Sequence, residues 1–164
     1  MFDGLKSGPA PISPSAARVW TSLVLSIFGV GVSTYLTVDH FAKVALACSE
    51  TGVINCQKVT TSAQSHFLGI PVALLGLVFY IAMTVINLPG LWHSMDRRIH
   101  ILRLAMGVSG ILFVLYLLAA ELLIIGNICL WCTSVHVITF ILFVLLLSTV
   151  PKMLGWGTAP ASDA

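Results

Sequence analysis

Charge is what this chain lacks. Asp, Glu, Lys and Arg together make up 9% of its 164 residues, against roughly 25% in an average globular domain, which excludes a water-soluble coat. Apolar residues make up 58% of the chain and the mean hydropathy is +1.02. So short a chain has too high a surface-to-volume ratio to bury that much apolar surface in one core. The net charge is only +2, with no basic block and no acidic tail, so the composition offers no electrostatic footprint for nucleic acid. The solvent that fits this composition is lipid.

A membrane crossing needs roughly 20 predominantly apolar residues, and the few charges mark where crossings end. Val19 to Val38 is uncharged between Arg18 and Asp39, which predicts span one over 19–38. The uncharged stretch from Val59 to Met95 is too long for one crossing and divides at Gly69-Ile70-Pro71. Proline is tolerated in a first helical turn, and Pro89-Gly90 provides a stop, so span two is predicted over 71–88. Span three is predicted over 101–125, with Arg103 placed to snorkel to the interface. After a Gly126-Asn127 turn, span four is predicted over 128–150, closed by Pro151-Lys152. The fold class that follows is an all-α integral membrane protein, a four-transmembrane-helix bundle within residues 18–152. Residues 1–17 and 153–164 read as tails rich in small and polar residues. Ala45-Leu46-Ala47-Cys48 has the small residues of a processing site, but Asp39, His40 and Lys43 separate it from the apolar stretch. The stretch itself exceeds the usual signal core of about 7 to 15 residues, so span one is expected to be retained.

Orientation follows from Lys and Arg near the span ends. Lys6, Arg18, Arg97, Arg98, Arg103 and Lys152 fall on the side of the termini, and Lys43 and Lys58 on the other. That bias predicts cytoplasmic termini. The loop from Asp39 to Leu68 and the Gly126-Asn127 turn then face outward, and all four cysteines lie at the outer face.

The cysteines form two pairs of different character. Cys48 and Cys56 flank a polar, turn-rich loop long enough to form a mobile disulfide. Cys129-Leu130-Trp131-Cys132 is a CxxC opening span four, with Asn127 as a plausible N-cap and a helix N-terminus that favours a thiolate, above all at Cys129. Cys132 lies one turn deeper, and His136 follows it on the same face. Structural disulfides and a zinc site are the competing readings. A CxxC within a helix is a poor staple, and this spacing is not that of a zinc knuckle, so no metal is expected. The redox reading sends electrons from a soluble dithiol at the exposed pair to a lipid-dissolved acceptor at the deeper pair, most simply a quinone. A disulfide-stabilised membrane scaffold or a metal-handling protein is the alternative.

Cys48-x7-Cys56 after span one, Ser62 six residues beyond, Gly76 and Phe79-Tyr80 in span two, and the CxxC opening the last span together resemble the vitamin K epoxide reductase family. The similarity covers about residues 19–150. A second four-span, quinone-linked family carries its CxxC in the first outer loop, the opposite order. The resemblance implies a bundle around a quinone pocket, capped by an outer loop that contains a short half-helix. It also implies a relay in which Cys48 exchanges with the partner thiol, Cys56 attacks Cys129, and Cys132 faces the quinone, a menaquinone or ubiquinone. The partner is expected to be a separate extracytoplasmic thioredoxin-fold disulfide oxidase, and the chain a monomer in a bacterial cytoplasmic membrane. Animal members carry Asn and Tyr where this chain has Val72 and His136, which points to quinone reduction coupled to disulfide formation rather than to epoxide reduction. His136, Ser62, Phe79 and Tyr80 are the candidate quinone contacts. Glu121 and Asp39 are candidates for a proton relay or a contact with the cap, whereas His40 and His66 read as solvated. Gly29, Gly31, Ser33, Gly107, Ser109 and Gly110 are expected to let helices approach closely.

Overall fold

A computed structural model describes residues 13–42, 47–48 and 51–156. Most of residues 1–17, the C-terminal tail from residue 157 and Lys43 of the orientation count lie outside the described residues. The elements are α1 (Ala16–Ala42), α2 (Cys56–Thr60), a 3-10 turn (Ala63–Ser65), a hairpin of β1 (His66–Phe67) and β2 (Ile70–Pro71), α3 (Val72–Ile86), α4 (Pro89–Trp92), α5 (Arg97–Ala119), a π-helical turn (Ala120–Ile125) and α6 (Leu130–Met153).

Three helical segments are long and apolar enough to cross a bilayer: Ala16–Ala42, Arg97–Ile125 and Leu130–Met153. The fourth apolar helix, α3, has 15 residues. At a rise of about 1.5 Å per residue it falls short of a hydrocarbon core of about 30 Å. Both of its ends are set by proline. Pro71 is the N-cap. At the other end Leu88 is held extended (φ −56°, ψ 140°) ahead of Pro89, because a residue before proline is disfavoured in the α region. Pro89 then starts α4 instead of merely ending a helix.

The core runs between α1, α3 and α6 through Val19, Tyr80, Met83, Leu142, Leu146 and Val150. Phe28, Leu112, Leu115, Leu123 and Phe140 point outward and are exposed, an apolar exterior matched to lipid. Close approach depends on particular glycines. A Cβ on Gly29 would overlap the Tyr80 ring, and one on Gly110 would lie 2.7 Å from Phe79 Cζ. Gly31, expected to serve the same purpose, instead faces open space, since the contact stripe of α1 runs through Ser22, Ser26, Gly29 and Ser33. The buried hydroxyls of Ser22 and Ser26 donate to their own helix, to the carbonyls of Val19 and Ser22 at 2.9 and 2.7 Å.

Three local expectations fail for stated reasons. Arg103 does not snorkel. It is fully buried, donating from Nη2 to Ile86 O at 2.6 Å and from Nη1 to His100 Nδ1 at 2.8 Å, with its guanidinium 3.9 Å from the Trp92 ring centroid. The carbonyl end of α3 and the indole face supply the negative potential that water would have given. His100 donates its other nitrogen to Ser94 O at 3.0 Å, which fixes Nδ1 as the acceptor. Pro151 does not close the last helix, which continues to Met153. In the final turn only one ladder bond is lost to a proline nitrogen, and Gly155, with φ 73°, follows the end. Asn127 does not cap α6 either, because its amide donates to Ile125 O at 3.1 Å and Cys129 takes the N-cap.

Gly29→Val should lower stability by about 1–3 kcal/mol through overpacking against Tyr80, whereas Gly31→Val should stay within about 0.5 kcal/mol of the parent. Thermal unfolding of both variants in detergent checks this; equal melting temperatures would remove Gly29 from the α1–α3 contact.

Candidate functional site

Cys48 and Cys56 are joined by a disulfide, and Cys129 and Cys132 are free thiols. The outer pair is asymmetric. Cys48 is half-buried, while Cys56 is fully buried with Cys129 and Val59 in one cluster, against which Ile125, Trp131 and Cys132 pack. Cys56 and the segment ahead of it therefore lie against the head of α6. Thr51 and Ile54 pair across a turn at Gly52, whose φ of 57° suits glycine. The next residues pair with the chain ahead of α6: Ile128 N–H donates to Val53 O at 2.8 Å, and Asn55 N–H donates to Ile128 O at 3.1 Å. This short parallel ladder sets the register of Cys56, two residues past Ile54, against Cys129, one residue past Ile128. Asn55 then caps α2, its side chain accepting from Lys58 N–H at 2.8 Å, so Cys56 opens a short helix just as Cys129 stands at the head of a long one.

Cys129 Sγ accepts the backbone N–H of Cys132 at 3.2 Å. The Cys132 side chain and the N–H of Trp131 also hydrogen-bond to it, and together they hold the Cys129 thiol below its usual range against the opposing effects of burial and of Glu121. The Glu121 carboxyl is buried beside the pair, close enough to act on both sulfurs through its charge. Its placement comes from the π-helical turn, which ends at Gly126 with φ 65°.

Beneath the CxxC lies a cavity of about 530 Å³, within the range of a small-molecule site. Its wall includes Cys132 and His136 from α6, Phe79 and Tyr80 from α3, Glu121, and Ser62 from the segment after α2. These sequence-predicted residues therefore meet at one cavity. His136 is buried, and among the described residues its Nδ1 has no hydrogen-bond partner. Tyr80 presents its ring only, because its hydroxyl donates to Val135 O at 2.9 Å and lies 2.7 Å from Thr139 Oγ1. Ser62 Oγ likewise donates to Val59 O at 2.8 Å. Val72 lines the wall without a polar group. The apolar, aromatic lining and one unpartnered imidazole suit a flat ring with a polar oxygen. Asp39 does not reach this cavity. It is buried in a neighbouring groove with Gln57, Thr60 and Thr61 of the cap, and its Oδ1 has no partner among the described residues.

Two features were not read from the sequence. His40 is half-buried in the cavity wall, its ring 5.0 Å from that of His66, and only the hairpin that brings His66 back over α1 makes this pairing. Phe67 of that hairpin also lines the cavity and meets Phe113 and Tyr116 edge-on. Among the described residues, no group of three His, Cys, Asp or Glu side chains is arranged to hold a metal ion.

Residues 20–147 match the family model described as Vitamin K epoxide reductase family. No curated protein matches the chain.

In a Cys48→Ala/Cys56→Ala background, where Cys129 is the one remaining thiol, thiolate absorbance near 240 nm in Cys132→Ser should titrate with a midpoint below that of an ordinary thiol, because the hydroxyl keeps a donor on Cys129. Cys132→Ala should move the midpoint up. A midpoint equal in the two variants would remove the Cys132 side chain as a cause of the thiolate.

Proposed function

The chain belongs to the vitamin K epoxide reductase family of membrane oxidoreductases, whose members use quinones and work with thioredoxin-like redox partners, and on that premise we propose that it couples disulfide formation outside the membrane to quinone reduction. The observation that carries this reading is the ladder at Ile128, which sets Cys56 against Cys129 directly above a cavity bounded by Cys132 and His136.

A dithiol of a separate thioredoxin-fold partner reduces the Cys48–Cys56 disulfide through a mixed disulfide at Cys48, the less buried sulfur. The Cys56 thiolate attacks Cys129 of an oxidised CxxC, and Cys132 leaves. Cys48 then resolves the Cys56–Cys129 bond, which restores the outer disulfide and leaves Cys129 and Cys132 reduced. The inner dithiol gives two electrons and two protons to the quinone and closes to the disulfide. His136 donates a hydrogen bond to a quinone oxygen, the rings of Phe79 and Tyr80 bound its plane, and Ser62 closes the cap side. Glu121, beside both inner sulfurs, relays the protons, and Asp39 holds the cap from below.

In this reading α3 is the fourth crossing, completed at its ends by Pro71 and by Asn87-Leu88, so residues 18–152 form a four-span unit with both termini in the cytoplasm. The cysteines face the outside of a bacterial-type inner membrane, and one chain holds the whole site. A menaquinone or ubiquinone serves as substrate, without a metal. A scaffold role leaves the free CxxC and the unpartnered imidazole without purpose.

Cys132→Ala should accumulate a Cys56–Cys129 cross-link, seen by non-reducing mass spectrometry; a chain that retains only Cys48–Cys56 would sink the relay. His136→Ala should raise KM for menadione about 5–10-fold, the loss of one hydrogen bond of about 1–1.4 kcal/mol, at an unchanged melting temperature. A loss of stability with KM unaltered would make His136 structural.

A further inference from the structure

Ala47, next to the outer cysteine, is an exposed residue whose two backbone polar groups are both taken by side chains. Its N–H donates to the Tyr35 hydroxyl at 3.0 Å, and its carbonyl accepts the Trp131 indole N–H at 3.1 Å. Tyr35 belongs to α1, and Trp131 lies between the two cysteines of the CxxC. Their rings meet edge-on, with centroids 4.8 Å apart. An exposed loop amide has water for a partner, so satisfaction by two aromatic side chains from two helices is a matter of position rather than of need. Cys56 is registered separately, by the ladder at Ile128. Cys48 packs at the edge of the Cys56, Val59 and Cys129 cluster, and its chain neighbour Ala47 ties it to α1 and to the CxxC turn.

We propose that Tyr35 and Trp131 are positioning residues that clamp Ala47 and so hold Cys48 within reach of Cys56 when Cys56 is bonded to Cys129. This rests on the relay described above and assigns the clamp to one step of it. In that step the Cys48 thiolate attacks Cys56 Sγ, the Cys48–Cys56 bond forms, the Cys56–Cys129 bond breaks, and Cys129 leaves as a thiolate that takes up a proton. Without the clamp, breaking the Cys48–Cys56 bond frees Cys48 to sample the loop, and resolution slows while the earlier steps are untouched. Because Trp131 sits inside the CxxC turn, the grip on the outer cysteine is built from the same turn that carries the inner pair.

The test is a single turnover of the fully reduced, full-length protein in detergent with excess menadione, quenched with acid, alkylated and read by mass spectrometry. In Tyr35→Phe and in Trp131→Phe, the Cys48–Cys56 disulfide should appear about 10-fold more slowly and the Cys56–Cys129 species should accumulate. The first reduction of menadione should keep its rate and KM. Formation of the outer disulfide at the parental rate in both variants overturns the clamp, as does slowing of the menadione step in parallel with it, which marks a general structural role. If Cys129→Ser/Cys132→Ser oxidises its outer pair as fast as the parent does, the relay itself fails, and the clamp with it. A parent that needs the CxxC alongside clamp variants of unchanged rate rejects the clamp alone.

Discussion

The short main-chain ladder between Val53, Asn55 and Ile128 is the constraint on which the site depends. Near a bilayer surface, backbone N–H and C=O groups outside helices must find partners in the protein or in interfacial water. Here a loop and the chain ahead of α6 satisfy one another. That pairing fixes register as well as position. A slip of one residue would turn the side chains of the paired segment to the opposite face, and Cys56 would no longer meet Cys129. The five-residue helix that follows is too short to hold itself together. It stands because Asn55 caps it and because Cys56 and Val59 are buried against Cys129.

From that register, α6 distributes the chemistry. Its N-terminus offers unpaired N–H groups to the sulfur of its own N-cap, Cys129. One turn on, Cys132 faces the cavity, and His136 follows at the next turn. One turn deeper again, Thr139 and the Val135 carbonyl hold the Tyr80 hydroxyl, and Tyr80 in turn lies over Gly29 of α1. Helical spacing along one face thus links thiolate, cavity and helix packing. The depth of the cavity is set by the same contacts that hold α1, α3 and α6 together.

The fold was legible where the sequence carried long-range physical signals. Charge-free runs marked α1, α5 and α6, and the order of the cysteines relative to those runs marked the two pairs. Pro71 and Pro89 marked the ends of α3, though not how short it is. What escaped was local and depended on tertiary partners. Arg103 reads as a snorkelling residue because nothing in its neighbourhood of the chain announces the Ile86 carbonyl and the Trp92 face that receive it. Asn127 reads as a cap by residue type, yet the ladder at Ile128 carries the chain one step further before the helix starts. The hairpin at 66–71 turns through Leu68 and Gly69, both with positive φ. Leucine is a poor residue for that conformation, so the turn carries no sequence signature, and the approach of His66 to His40 was hidden with it.

The buried polar groups divide according to what they face. At the end of the bundle away from the cysteines, Arg103 and His100 spend their donors and acceptors on protein: Ile86 O, Ser94 O and each other. Asn87 bonds Ser26 at 3.3 Å. Those groups brace α1, α3 and α5, and the atoms they leave unpaired are second valences of side chains already engaged. At the cysteine end, Nδ1 of His136 is buried without a partner among the described residues, and its ring borders the apolar cavity. Burial of an unpaired polar group costs about 1–3 kcal/mol, a burden that packing alone gives no reason to keep. The proposed hydrogen bond to a quinone oxygen would relieve it. Scarcity of charge sharpens that contrast: around Arg103 the polar groups are engaged with one another and with main-chain carbonyls, whereas the His136 imidazole borders the cavity that also holds Cys132.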